Sequence, residues 1–276
     1  MQGIIKMNRI ILILYILFLS IFIIFPVVII IVLGFLNEQN ELTFANFTRL
    51  LEPSYLKIFS RSINFALITT IFCMLIGYPT AWFISMSKKN IQNMLIIMII
   101  LPMWINTLLR TYAWIRILGK NGIINNALEA IGLKPIELLY NEKAVIIGMV
   151  YNFLPFMVLP IYIGLSKIKY EYIEAARDLG ARTWQILLYI KLPLTLSYLA
   201  TGIIMVFIPS ITVFIISDLL GGSKQILIGN LIEKQFLFVE DWHTGASISF
   251  IVMIVILTFN LIILKLMQKN NVKSGY

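Results

Sequence analysis

The most distinctive residue spacing in the chain lies in residues 167–193, KIKYEYIEAARDLGARTWQILLYIKLP, which hold Glu174-Ala175-Ala176, Gly180, Ile190 and Leu192-Pro193. None of these types makes or breaks bonds at such spacing; what they supply is recognition. Two adjacent alanines leave a low strip on a helix, where another protein's backbone approaches closely, and Glu174 sets a charge at its edge. Gly180 is suited to the left-handed backbone that stops a helix. Residues for covalent or metal chemistry are scarce. One histidine, His243, and one cysteine, Cys73, leave no disulfide framework, thiolate cage or multi-His metal site. No phosphate-cradling G-x-x-x-x-G-K-[ST] run occurs, since the Gly119-Lys120 pair has Trp114 where the first glycine must stand. H-E-x-x-H and G-x-S-x-G are also missing, so no catalytic residue is assigned.

A second group of side chains is suited to handling a solute rather than transforming it. Asp218 is the one acid inside an apolar run, and acids there default to functional roles. The other reading of Asp218 is a hydrated interfacial cap before Gly221-Gly222. Trp104, Tyr112 and Trp114 cluster beside Arg110 and Arg116, either as an interfacial aromatic belt or as rings lining an outward cavity. Tyr151 and Asn152 precede Pro155, which sets a polar amide beside a kink; kinked packing is one reading, and a broken helix along a solute path is the other. Glu233, Glu240 and Asp241 read as solvated loop charge or as an attractor for cations.

The elements that must position these residues are membrane helices. The 276-residue chain is 60% apolar and 13% charged, against about 45–50% and 25% in soluble domains. Its apolar residues fall into six runs, 10–36, 62–86, 91–115, 144–166, 194–220 and 246–267, each reaching the roughly 20 residues that cross a bilayer. The runs are continuous rather than alternating, which excludes barrel strands. The first run follows Lys6 and Arg9 as a secretory signal does. It is nonetheless too long for a signal's apolar region and has no small-x-small cleavage site, so a retained helix is expected. Pro26, Pro79, Pro102, Pro155, Pro160 and Pro209 sit within the runs and predict kinks. The expected fold is an all-α integral membrane protein of six transmembrane helices, with residues 1–276 as one transmembrane domain.

Orientation follows from Lys and Arg near the helix ends. The two tails, the 87–90 connection and residues 167–193 carry acids only at Glu171, Glu174 and Asp178, so they hold the whole net charge of +9, while the other loops balance. Both termini are therefore expected on the cytoplasmic side. The excess charge lies where anionic headgroups attract it, which removes nucleic acid as the reason for a basic chain. On that same side, residues 170–179 predict a short amphipathic helix with Glu174 and Arg177 or Asp178 on one face. Gly180 forms an elbow, and a second helix runs from Thr183 until Pro193 ends it.

The elbow carries a resemblance. EAA, three residues, Gly, nine residues, Ile, one residue, Leu-Pro is similar to the EAA loop of ABC-importer permeases, and every fixed position matches. Residues 101–114 (LPMWINTLLRTYAW), 121–128 (NGIINNAL) and 148–162 (GMVYNFLPFMVLPIY), with SDLLGG and IGNLI, resemble the first permease subunit of spermidine/putrescine importers. The resemblance implies type I ABC-importer architecture in the bacterial inner membrane. It implies that Glu174, Ala175, Ala176 and Gly180 dock on a cytoplasmic ABC ATPase dimer, with Ile190, Leu192 and Pro193 fixing the return into the bilayer. It also implies a second homologous permease subunit and an extracytoplasmic polyamine-binding protein. ATP and Mg would be bound by the ATPase, with no cofactor in this chain. Asp218, Trp104, Tyr112, Tyr151 and Asn152 are then the candidates for the substrate pathway; another small solute, or transport without ATP, are the alternatives.

Overall fold

The computed structural model describes residues 2–273, with side chains described outside 2–10, 223 and 268–273. Lys6, Arg9, Lys269 and Lys273, which enter the orientation reading, have side chains outside the described residues. In chain order the α-helices are α1 (Gln2–Leu19), α2 (Phe25–Gly34), α3 (Ala45–Arg49), α4 (Pro53–Met86), α5 (Lys89–Ile100), α6 (Thr107–Leu118) and α7 (Ile123–Ala130). They continue with α8 (Glu142–Ser166), α9 (Tyr170–Asp178), α10 (Thr183–Ile186), α11 (Leu192–Thr212), α12 (Ile215–Gly221), α13 (Ile228–Lys234) and α14 (Trp242–Lys273). Among the described residues no strand forms; Leu36 and Leu42 make an isolated bridge.

Five helical stretches are long and apolar enough to cross a membrane, and a sixth results if α5 and α6, bent by 97° at their junction, count as one. Run 91–115 is therefore not one straight helix. Pro102 cannot donate to the Met98 carbonyl, the backbone tightens into a 3₁₀ turn at Leu101–Trp104, and Asn106 starts the next helix by accepting the Leu108 N–H at 2.8 Å. Run 194–220 is also divided. Pro209 loosens the last turns of α11, extended backbone at Val213 ends it, and α12 begins two residues later.

Pro193 does not end the second loop helix, contrary to expectation. Helix runs unbroken from Thr183 to Thr212, because Leu187–Lys191 forms a π-turn just before the proline. The wider turn shifts the carbonyl register where a proline would clash with the preceding turn.

The chain divides into two compact units. In the first, Met1–Leu56 with Leu231–Leu257, the Gly34 carbonyl at the end of α2 accepts from Asn46 Nδ2 at 3.1 Å and from Ser247 Oγ at 2.9 Å. The His243 ring lies 3.0 Å from the Leu33 carbonyl through Nδ1, and Phe35, Phe44, Phe47 and Phe250 pack edge to face or tilted around this junction.

The second unit is Lys57–Asn230 with Thr258–Tyr276. Helices α4, α8 and α11 meet around Met157, which is fully buried. They approach closely because Gly77 and Gly202 face it: a Cβ on either would stand 2.9 or 2.8 Å from the Met157 side chain. Small residues at crossings are how membrane helices gain contact without a hydrophobic drive from water. Phe207 of α11 stacks on Phe259 with ring centroids 3.8 Å apart, which secures the last part of α14 in this unit.

Candidate functional site

The elbow after α9 is built by local backbone chemistry. Gly180 has φ +81°, a conformation that side chains disfavour. Its N–H donates to the Arg177 carbonyl at 2.8 Å, and the Ala181 N–H reaches back to the Ala176 carbonyl at 2.9 Å. These are the bonds that satisfy the last carbonyls of a helix when a left-handed residue follows it. The Arg182 N–H then donates to Gln185 Oε1 at 2.7 Å and starts α10. Gly180 and Ile190, ten residues apart, come together on one concavity of about 260 Å³ that Leu179, Gln185, Ile186 and Tyr189 also line. Glu174 and Ala175 are exposed, Ala176 is half-buried, and Leu179 is 89% exposed. Leu192 is half-buried and Pro193 exposed at the start of α11. A short helix with a low alanine strip, an exposed leucine and a concave heel has the shape of a docking element.

A cavity of about 390 Å³ lies in the same unit, where the start of α6, the middle of α8 and the α11–α12 break meet. Thr107, Arg110, Asn152, Phe153, Phe156 and Phe214 are among its walls. Asn152 is 4% exposed. Its Nδ2 donates to the Gly148 carbonyl at 2.8 Å, while its Oδ1 is buried without a partner. Arg110 donates through Nη2 to Thr107 Oγ1 at 3.0 Å, and its Nε is buried unpaired. Asn152 and Arg110 thus bring two polar side chains to the wall beside three phenyl rings, with their unpaired Oδ1 and Nε lying buried within it. An unmet acceptor and ring faces suit an ammonium group; the guanidinium suits an anion.

The break that opens this cavity is latched by residues from farther along the chain. Asn230 donates through Nδ2 to the Phe214 carbonyl at 3.1 Å; its Oδ1 accepts from Ser217 Oγ at 2.7 Å and from the Leu227 N–H at 2.9 Å. Ser62 Oγ on α4 accepts the Ile228 N–H at 2.8 Å. The SDLLGG and IGNLI segments thus hold one wall of the cavity.

Of the five pathway candidates, Asn152 lines the cavity and the others do not. Tyr151, its neighbour on α8, sits edge-on to Trp114 at 5.4 Å between ring centroids. Trp104 is 86% exposed at the α5–α6 bend, Tyr112 is exposed on α6, and Asp218 is exposed on α12. Arg110, Phe153, Phe156 and Phe214 were not singled out as pathway residues by sequence reasoning. Their signal was positional, since Arg110 follows Pro102 and Phe214 follows Pro209, each within one broken run.

Against known proteins, residues 6–273 match the model of the family described as binding-protein-dependent transport system inner membrane component. The chain is 41% identical over 215 residues to the spermidine/putrescine transport system permease protein PotB of Escherichia coli (strain K12), covering 77% of this chain and 78% of that protein. The crystal structure of a bacterial ABC transporter involved in import of the acidic polysaccharide alginate shares the fold, with TM-score 0.84, 18% identity and 96% of each chain covered. So does the bacterial alginate ABC transporter in complex with an alginate pentasaccharide-bound periplasmic protein, with TM-score 0.82, 17% identity, and 94% of this chain and 92% of that one covered. The resemblance read from the loop spacing is thereby extended across most of the sequence, and the chain belongs to the family of binding-protein-dependent transport system inner membrane components.

Proposed function

We propose that this chain is the membrane-spanning permease subunit of an ATP-driven ABC importer for polyamines, spermidine or putrescine, moving its substrate inward by alternating access. The observation that carries the cargo is the 41% identity to a spermidine/putrescine permease. Residues 1–276 act as a single transmembrane domain of six spans, with α5 and α6 counted together and both termini cytoplasmic. One such chain is half a pathway. Its partners are a second homologous permease subunit, an ABC ATPase dimer that binds ATP and Mg, and an extracytoplasmic polyamine-binding protein.

In this reading Glu174, Ala175 and Ala176 seat α9 in a groove of the ATPase, and Gly180 fixes the heel angle. Ile190, Leu192 and Pro193 join that heel to α11. Asn152 Oδ1 accepts a substrate ammonium N–H, while Phe153, Phe156 and Phe214 provide ring faces that attract an organic cation by about 0.5–2 kcal/mol each. The exposure of Asp218, Trp104, Tyr112 and Tyr151 supports a place for them on the side that the second permease completes.

A second reading, an anionic solute, has Arg110 in its favour, because this cationic residue lines the cavity and no carboxylate among the described residues lines it beside Arg110. Proteoliposomes holding the chain with its co-purified partners separate the two. Labelled spermidine should enter only with internal ATP and be displaced by putrescine. Displacement by anions or sugars instead overturns the cargo, and uptake without ATP overturns the coupling.

A further inference from the structure

A second cavity, about 660 Å³, opens beside the N-terminal end of α8. The coupling helix α9 follows the other end of that 25-residue helix, about 37 Å away along its axis. The cavity wall is apolar at Leu118 and Leu138 and carries Tyr140 and three lysines, Lys120, Lys134 and Lys224. Glu137 is the one carboxylate in the lining. Arg61 donates to the Lys224 carbonyl at 3.1 Å and brings a further cation to the border. Among the described residues, none of the three lysines stands in an ion pair.

The loop that presents Lys120 and Lys134 is tied together by one buried side chain. Asn125 is 1% exposed. Its Nδ2 donates to the Gly119 carbonyl at 3.1 Å and the Ile136 carbonyl at 3.0 Å, and its Oδ1 accepts the Ile136 N–H at 2.9 Å. The backbone is thereby pinned one residue before Lys120 and two residues after Lys134. On the far side, the Tyr140 N–H donates to the Leu220 carbonyl at 2.9 Å. A pre-shaped concavity with several unpaired ammonium groups loses little conformational freedom when an anionic partner enters it.

From this geometry we infer that the cavity is a socket for an acidic surface segment of the extracytoplasmic binding protein. The inference rests on the orientation and the partnership proposed above. Three ammonium groups repel a polyamine, so the free substrate is the wrong occupant, whereas a carboxylate-bearing projection from the protein that delivers it is complementary. Such a socket aligns the loaded binding protein over the permease and accelerates the encounter by electrostatic attraction.

The test uses the assembled importer in lipid nanodiscs, titrated with the polyamine-loaded binding protein that supports uptake in proteoliposomes. The readout is the binding-protein concentration that half-saturates ATP hydrolysis. Reversing Lys120→Glu, Lys134→Glu and Lys224→Glu together should raise that concentration roughly tenfold at low salt and flatten its salt dependence, with the maximal rate kept. The milder Lys134→Gln with Lys224→Gln should shift it in the same direction and guards against misfolding of the triple variant. Unchanged half-saturation overturns the inference. A half-saturation that follows anionic lipid content but not the lysine charges also overturns it, in favour of a phospholipid headgroup. Orientation is read separately with Lys134→Cys and a membrane-impermeant maleimide, a clean experiment because the native Cys73 is buried. Labelling from inside overturns the socket together with the orientation reading; labelling from outside with unchanged half-saturation overturns the socket alone.

Discussion

Gly229 at the start of α13 lies against the carbonyl oxygen of Thr212, so closely that a Cβ on it would stand 2.2 Å from that oxygen. The contact is with backbone at the end of α11, which cannot rotate aside as a side chain does. Gly229→Ala should therefore cost about 1–3 kcal/mol of stability by overpacking. A thermal melt of the detergent-solubilised importer should show a lower transition, with spermidine uptake reduced; an unchanged melt would place the break elsewhere.

Asn230→Ala should act on the same joint by another route. It leaves the Phe214 carbonyl, the Leu227 N–H and the Ser217 hydroxyl without the partner that serves all three. Of these, the Phe214 carbonyl keeps the Asp218 N–H at 2.9 Å and the Ser217 hydroxyl at 2.8 Å, so the Leu227 N–H is the group left unsatisfied, at a cost of about 1–3 kcal/mol that water entering the site recovers in part. Asn230→Asp keeps the two accepted bonds but sets an unpaired, buried carboxylate oxygen against the Phe214 carbonyl, so it should melt no higher than the alanine variant.

Asn152→Leu keeps the branching of the side chain, at a larger volume, while deleting the unpaired acceptor and the Nδ2 bond to the Gly148 carbonyl. Uptake assays over a range of spermidine concentrations should show KM raised by about tenfold, the equivalent of one charge-assisted hydrogen bond. Arg110→Gln should leave KM for spermidine equal or lower, because it removes a cation from the wall. A raised KM for Arg110→Gln, or competition by an anion that this change abolishes, would favour the anionic cargo.

At the elbow, Gly180→Ala should shift the end of α9 by about 1 kcal/mol through its left-handed backbone alone, with uptake reduced but present. Gly180→Trp and Glu174→Lys should abolish ATP-coupled uptake while membrane insertion stays normal, since neither residue is buried in the permease itself. Co-purification of the ATPase, measured alongside uptake, reports whether docking is what failed.

The legible features were the local ones. The all-α class follows from unbroken apolar runs, and runs 62–86 and 144–166 fall inside α4 and α8. The left-handed glycine at the elbow is a short-range device written in a few consecutive residues, so its position and conformation were readable. The breaks at 101–106 and 213–214 were not, because hydropathy continues across them and a proline in a membrane helix predicts a kink without saying whether the chain will turn. Asn230 gave no periodic signal, since its partners at Phe214 and Ser217 lie 16 and 13 residues away. Arg110 looked like an interfacial charge next to tryptophans, and only the 97° bend at the α5–α6 junction shows why it borders a cavity instead.

The unbroken helix from Thr183 to Thr212 has a mechanical corollary. Thirty residues of helix, about 45 Å, connect the heel at Gly180 to the break at Val213. In the coupling proposed above, a rod of that kind would deliver a tug at the elbow to its far end with little loss, apart from whatever slack the π-turn at Leu187–Lys191 allows. Distance changes between inward- and outward-open states, read by spin labels, should therefore concentrate at residues 213–214 and stay small along the shaft.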